Sequence, residues 1–470
     1  MHIVFLNPQG NFDPADSHLT EHPDFGGQLV YVKEVAQAMT AAGHRIDILT
    51  RQILDKDWPE FAEPFDHYPE TGDDLRIIRV PCGGPGFLSK ERLWDCLPEF
   101  VANTIAFYSS SPPDFATAHY ADGGYCAALL ERSVGTGFTF TGHSLGAQKL
   151  EKLGVSQANA AAMEARFRFS RRIAAERLAM TRAVRIITST EQERREQYAH
   201  PLYAGAIDVD DDARFSVIPP GVNTEIFSAK ADDADAPPDG ELPQGIVSAE
   251  RPMVVVSNRL DTKKNTIGVV EAFAASADLR ARADMLLCLR GIDDPFESMA
   301  QLNDDEQSVL QPILKTIDRN GLRDHVRFLN IPSQRALAAT YRAVAAGGGV
   351  FALTAFYEPF GLGPIEAAAC GLACVVTRNG GPSEIFADGS GILVDPADPS
   401  DIARGLNEAL LRQREFAARA HARVVSTYTW RETATRYAAL IDQALRTQRR
   451  SAEDVPALDA SDIIHDYLTR

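Results

Sequence analysis

Short apolar runs alternate with longer amphipathic ones along nearly the whole chain. His2 to Asn7 is the first such run. After a long loop (Pro8 to Phe25), GGQLVYVKEVAQAMTAAGH sets Leu29, Val32, Val35, Ala36 and Met39 at helical spacing. Gly43 stops that helix, and Arg45 to Thr50 returns as a strand. Further strands are predicted at Arg76 to Pro81, Phe115 to His119, Phe138 to Thr141 and Arg185 to Thr190. Helical stretches lie between them: one opens at Lys90 (KERLWDCLPEFVANTIAFY), and a long one runs from Asn159 to Met180. SVIPPGVN, Ser216 to Asn223, reads as a turn.

A second alternation starts at Met253. Strands are predicted at Val254 to Ser257, Met285 to Arg290, Val326 to Leu329, Phe351 to Thr354, Cys374 to Thr377 and Ile392 to Asp395. Helices are predicted at Thr266 to Ala275, Asp304 to Asn320, Ser333 to Ala346 and Leu362 to Cys370. Strand, loop, helix, strand repeated in this way predicts two Rossmann-like, doubly wound α/β domains facing a central cleft. The expected divisions are a first domain over 1–228, a linker or surface excursion over 229–251, a second domain over 252–428, and a helix with its tail over 429–470. The linker is acidic and rich in Pro and Ala, with little to bury. Ser451 to Arg470 reads as loosely ordered.

At 470 residues the chain exceeds one ordinary core, which agrees with two domains. A formal charge of -18 repels nucleic acid and anionic lipid, so any phosphate site has to be a local basic patch. No run approaches the ~20 apolar residues that span a membrane, and MHIVFLNPQG lacks a basic leader, so a cytoplasmic location is expected. Six scattered cysteines, without CxxC pairs or histidines at zinc spacing, read as buried free thiols; no metal and no cofactor are expected.

Candidate chemistry gathers in FALTAFYEPFGLGPIEAAACG, Phe351 to Gly371. A strand end, a tight loop and a helix start follow one another there, and a helix N-terminus favours a phosphate-bearing ligand. Glu358 in the loop and Glu366 within the helix would each bind a diol, which fits a nucleotide sugar. SNRLDTKKN places Arg259 and Lys264 after a strand, where cations would neutralise a departing diphosphate. Gly26 and Gly27 let a ligand approach the backbone at the first helix start, beside Gln28. Lys149, Arg171 and Arg172, with Lys90, form a basic set suited to an acceptor bearing phosphate. Gly142 to Gly146, GHSLG, matches the nucleophile-elbow pattern and raises a serine hydrolase built on Ser144. The polar helix after it (Gln148, Lys149, Glu151, Lys152) and the missing HGGG-type segment argue against that reading.

The two glutamates separated by seven residues around PFGL, followed by GLACVVTRNGGPSEI, resemble the donor-site signature of retaining GT-B glycosyltransferases. With NPQGNFDP, HPDFGGQLVYVKEV, TGHSLGAQK, FSVIPPGVN and RLDTKKN, the resemblance extends over nearly the whole chain to bacterial sucrose-phosphate synthases of family 4. It implies transfer of glucose from UDP-glucose to fructose 6-phosphate, giving sucrose 6-phosphate and UDP with retention at the anomeric carbon. It also implies 1–228 as the acceptor domain, 252–428 as the nucleotide-sugar domain and the helix after them crossing back to the first. Retention without a carboxylate nucleophile is usually explained by front-face attack. By the same resemblance, Gly27, Arg259 and Lys264 would hold the diphosphate. Glu358 with the backbone of Phe360, Gly361 and Leu362 would hold the glucose, and Glu366 the ribose. His143 would contact the donor sugar, while Gln28, Lys90, Tyr120, Lys149 and Arg172 would hold fructose 6-phosphate. Larger plant relatives carry a phosphatase-like domain, so a separate sucrose-phosphate phosphatase is an expected partner. A mannosylfructose-phosphate synthase using GDP-mannose, a sucrose synthase and a catalytically silent nucleotide-sugar sensor remain as alternatives.

Overall fold

A computed structural model describes residues 1–17, 27–230, 251–447 and 454–470. Those residues divide into two units, Met1–Pro219 with Thr433–Arg470, and Pro220–Glu432. Most of the expected linker, 231–250, lies outside the described residues, as does Gly26.

In the first unit the strands are β1 (His2–Leu6), β2 (Arg45–Arg51), β3 (Phe65–His67), β4 (Leu75–Val80), β5 (Phe115–His119), β6 (Phe138–Thr141), β7 (Arg185–Thr188) and β8 (Phe215–Val217). They form one sheet in the order β3-β4-β2-β1-β5-β6-β7-β8, parallel throughout except for β3 on β4. Strands buried on both faces need near-continuous apolar runs, and Ile3 to Leu6 are at most 1% exposed. The first helix, α1 (Gly27–Ala41), buries Leu29, Val32, Val35, Ala36 and Met39 as the spacing predicts. Gly43, at φ +86°, ends it. The helices α2 (Leu97–Phe107), α3 (Tyr120–Val134), α4 (Gly146–Lys152), α5 (Ala160–Phe167) and α6 (Phe169–Arg182) also belong to this unit.

The second unit is a six-stranded parallel sheet of β9 (Met253–Ser257), β10 (Asp284–Leu289), β11 (Val326–Asn330), β12 (Val350–Leu353), β13 (Ala373–Thr377) and β14 (Ile392–Val394). Its order is β11-β10-β9-β12-β13-β14. In each sheet the winding reverses beside the first strand, between β1 and β5 and between β9 and β12. Ligands of doubly wound sheets bind outside the carboxyl ends of strands at such points.

Four readings are corrected. The stretch opening at Lys90 is not one helix: Lys90–Arg92 is a single 3-10 turn, and α2 begins only at Leu97 because Pro98 belongs at a helix start. Asn159 to Met180 breaks at Arg168, whose φ of +52° separates α5 from α6. Ser216 and Val217, read as a turn, belong to β8, which pairs with β7. Residues 451–453 lie outside the described residues, but Ser461–Thr469 is a helix that buries Ile464 and donates Tyr467 OH to Glu151 at 2.7 Å. Within the first unit, Tyr437 OH of the helix Trp430–Thr447 lies 2.8 Å from Thr139 Oγ1. Among the described residues no helix is long and apolar enough to cross a membrane. All six cysteines are buried and free.

Candidate active site

The second unit's switch point is built from the loops after β9, β12 and β13. After β9 the chain makes a 3-10 turn, Thr262–Lys264, capped by Asp261, whose carboxylate accepts from Lys263 N–H. Asn265 follows in the left-handed conformation and is buried. Its side-chain amide donates to the carbonyls of Thr354 (3.0 Å) and Pro396 (2.7 Å), fixing this loop against the one after β12. Lys264 Nζ thereby comes 2.6 Å from Glu358 Oε2, both groups mostly shielded at 22% and 12% exposure. Arg259 is exposed and has no ion pair with any described residue.

Glu358 owes its position to the NGG turn after β13. Its N–H donates to Asn379 O, and its carbonyl accepts from Gly381 N–H at 2.9 Å. A Cβ on Gly380 would lie 2.0 Å from the Glu358 carbonyl oxygen, and one on Gly381 2.2 Å from that of Phe360, so only glycine permits this approach. Gly361, at φ +110°, then turns the chain into the helix Leu362–Ala369. Phe360 is buried beside Tyr428, whereas Leu362, Phe356 and Tyr357 stay exposed on the same loop. Glu366 is half-buried on that helix, close enough to Tyr341 to help hold its phenol protonated, after burial itself.

In the first unit the corresponding edge carries the loops after β1, β5 and β6. His143 sits at φ +55°, its Nε2 hydrogen-bonded with His119 Nδ1 at 2.9 Å. The Tyr31 ring meets it edge-on at 5.0 Å, and the Tyr120 ring lies nearly parallel at 6.5 Å. Burial pushes the His143 imidazole down to about 3, so it is neutral at physiological pH. Arg172 is buried over the Tyr120 ring at 5.1 Å. It donates to Glu176 at 3.0 Å and to the Ser144 carbonyl at 2.5 Å. Burial works against its charge, but Glu176 beside it more than compensates. Asp122, at the start of α3, is 4% exposed, and its Oδ2 has no hydrogen-bond partner among the described residues. Burial raises its carboxyl to about 6.

The sequence-predicted residues therefore fall into groups. Lys264, Glu358, Phe360, Gly361 and Leu362 are brought together, with Arg259 and Glu366 on the same loops. His143, Tyr120 and Arg172 form a second cluster. Gly27, whose Cβ position would meet no described atom within 4 Å, and Gln28, whose buried Nε2 has no partner among the described residues, open α1. Lys90 flanks the loop after β1, lining a small cavity with Gln9 and Gly10. Lys149 lies over the Phe167 ring at 4.4 Å. Arg171 is turned away, donating to Asp95 at 2.6 Å, because adjacent helical residues point about 100° apart. Ser144 is exposed, and the positive φ that marks a nucleophile elbow falls on His143 instead. Asn265, His119, Tyr31 and Glu176 were not singled out in advance. Only Glu176, four residues after Arg172, carried a local signal.

Residues 241–424 match the family model of glycosyl transferases group 1, and residues 26–209 that of the glycosyl transferase 4-like domain. With charged side chains gathered at the switch points of two Rossmann-like units, the protein is a hexosyltransferase of the GT-B class, as expected. A probable sucrose-phosphate synthase of Thermosipho melanesiensis is 44% identical over 94% of this chain and 97% of its own length. The sucrose-phosphate synthase of Zea mays is 32% identical over 97% of this chain, which spans only 48% of that longer protein. The solved sucrose-phosphate synthase of Thermosynechococcus elongatus superposes with a TM-score of 0.67 at 25% identity, covering 95% of this chain and 99% of the other. The chain belongs to the sucrose-phosphate synthase family.

Proposed function

We propose that the protein transfers glucose from UDP-glucose to fructose 6-phosphate, releasing UDP and forming sucrose 6-phosphate with retention at the anomeric carbon. The observation that carries this reading is the Lys264–Glu358 pair at the second unit's switch point, with Arg259 exposed on the loop that carries Lys264. A cation already paired with a carboxylate is poised to exchange that partner for a diphosphate, while the released carboxylate accepts from sugar hydroxyls. Arg259 and Lys264, with Gly27, hold the diphosphate. Glu358 and the backbone of Phe360 to Leu362 hold the glucose, Glu366 the ribose, and neutral His143 the donor sugar. Gln28, Lys90, Tyr120, Lys149 and Arg172 hold the acceptor, whereas Arg171, turned to Asp95, is left out of that set. The acceptor hydroxyl attacks the face from which UDP leaves, its proton passing to the departing phosphate oxygen. The protein supplies position and charge, with no cofactor. In this reading the reaction runs in the cytoplasm, and a separate phosphatase consumes the phosphate-monoester product.

The test is a panel of UDP-glucose, ADP-glucose, GDP-glucose and GDP-mannose against fructose and fructose 6-phosphate, following disaccharide and released nucleotide. Turnover with fructose but none with fructose 6-phosphate overturns the acceptor; turnover confined to GDP-mannose overturns the donor.

A further inference from the structure

Behind His143 lies a buried polar chain to which the proposed function gives no task. Alternation along β5 sets Thr117 and His119 on one face, at 0% and 1% exposure. Phe5 of β1, which pairs with Thr117, stacks flat on the His119 ring at 5.5 Å and 9°. His119 cannot rotate away, and its two nitrogens are committed: Nε2 to Thr117 Oγ1 at 2.9 Å, and Nδ1 to His143 Nε2 at 2.9 Å. Burial depresses both imidazoles, so each is neutral and carries one proton.

The direction of the chain follows from its buried end. Thr117 Oγ1 has His119 as its hydrogen-bond partner among the described residues. A hydroxyl there that only accepted would leave its own proton unpaired, which costs more than an idle lone pair. Thr117 therefore donates to His119 Nε2, the His119 proton sits on Nδ1, and that N–H donates to His143 Nε2. The His143 proton is then on Nδ1, the nitrogen left for a ligand. We infer that Thr117 and His119 are positioning residues that hold His143 as its Nδ1–H tautomer, a fixed hydrogen-bond donor toward the hexose of the sugar nucleotide. The inference rests on the proposed contact between His143 and the donor sugar. The ring nitrogen that a histidine offers is set by the bond its other nitrogen makes.

Two measurements decide it. Nitrogen-15 NMR of the histidine-labelled full chain, without ligand, is expected to show His143 protonated at Nδ1 and bare at Nε2, with a mixed signal in Thr117→Val. An Nε2–H tautomer in the unsubstituted protein overturns the relay, whether or not the enzyme turns over. In initial-rate assays with UDP-glucose and fructose 6-phosphate, Thr117→Val should lower kcat by about 10-fold and leave the Kd for UDP unchanged. His119→Phe should lower kcat further, and His119→Asn, which can still bond at the Nδ1 position, should recover part of it. In a His143→Ala background, Thr117→Val should have no further effect; the same 10-fold loss there overturns the proposal. Absence of transfer by the unsubstituted protein would count against the proposed function, while the tautomer result still decides the relay.

Discussion

Lys264→Ala is the most direct test of the donor site, because its stability and rate effects separate. The substitution removes Nζ from 2.6 Å beside Glu358 Oε2 and leaves a carboxylate 12% exposed without its cation. Stranding one partner of a buried pair costs about 3–5 kcal/mol. With the lysine about one-fifth exposed, solvent restores part of that, and about 2–3 kcal/mol of destabilisation is expected. The rate effect has another origin, since a missing charge contact to a developing anion is worth about 3–4 kcal/mol, or 10²–10³ in kcat. Rates of UDP release, measured at least 20 °C below the unfolding midpoint (roughly, so that the unfolded fraction is negligible), should fall at least ~100-fold. Lys264→Arg, which keeps the charge, should fall less. A folded Lys264→Ala protein turning over within about 3-fold of the unsubstituted one would remove Lys264 from the chemistry and leave the pair a structural strut.

Other outcomes follow from the same geometry. Gly380→Ala places a Cβ 2.0 Å from the Glu358 carbonyl at a φ of +94°, so both the unfolding midpoint and turnover should fall; an unchanged midpoint refutes the close packing. Asp47 is buried, and although burial alone would raise its carboxyl, hydrogen bonds from His2, Arg76 and Tyr108 bring it down to about 2. Its stabilisation is thus complete above about pH 4 and lost as the pH falls to about 2, amounting to about 2 kcal/mol; acid titration of unfolding should show this step weakened in Asp47→Asn. Asp122 works in the opposite sense. Its folded value of about 6 lies above the unfolded one, so its contribution is present below about pH 4 and lost as the pH rises to 6, and Asp122→Asn should flatten that part of the profile. Ser144→Ala should retain most transferase activity, whereas a serine hydrolase would be abolished.

The strands were legible because a parallel sheet buried on both faces demands short apolar runs, and those runs stand out between polar helices. What could not be read were backbone exceptions. Nothing local marks Arg168 as left-handed, and Pro98 lies inside an apolar stripe whose spacing is otherwise continuous. The helix Ser461–Thr469 did carry a signal, since Ile464, Tyr467 and Leu468 recur at helical spacing, but the acidic residues around it masked the pattern. Likewise, adjacency of Arg171 and Arg172 tells against a shared ligand, because successive helical residues point about 100° apart.

The donor site shows where sequence reading has to stop and topology take over. Lys264 and Glu358 are 94 positions apart, and each alone is an ordinary loop residue. Their contact exists because β12 lies directly against β9, so the loops leaving both strands emerge side by side, about 4.8 Å apart in the hydrogen-bonding direction. One strand between them would roughly double that spacing and put the ammonium out of reach of the carboxylate. In a parallel sheet every loop after a strand leaves from the same edge, so strand order alone decides which charged groups meet. The first unit obeys the same rule: β5 beside β1 stacks Phe5 on His119, and β6 beside β5 delivers His143 to it. A substitution that preserved every named side chain but displaced β12 from β9 would therefore abolish transfer, while the sequence motifs that identify the family remained intact.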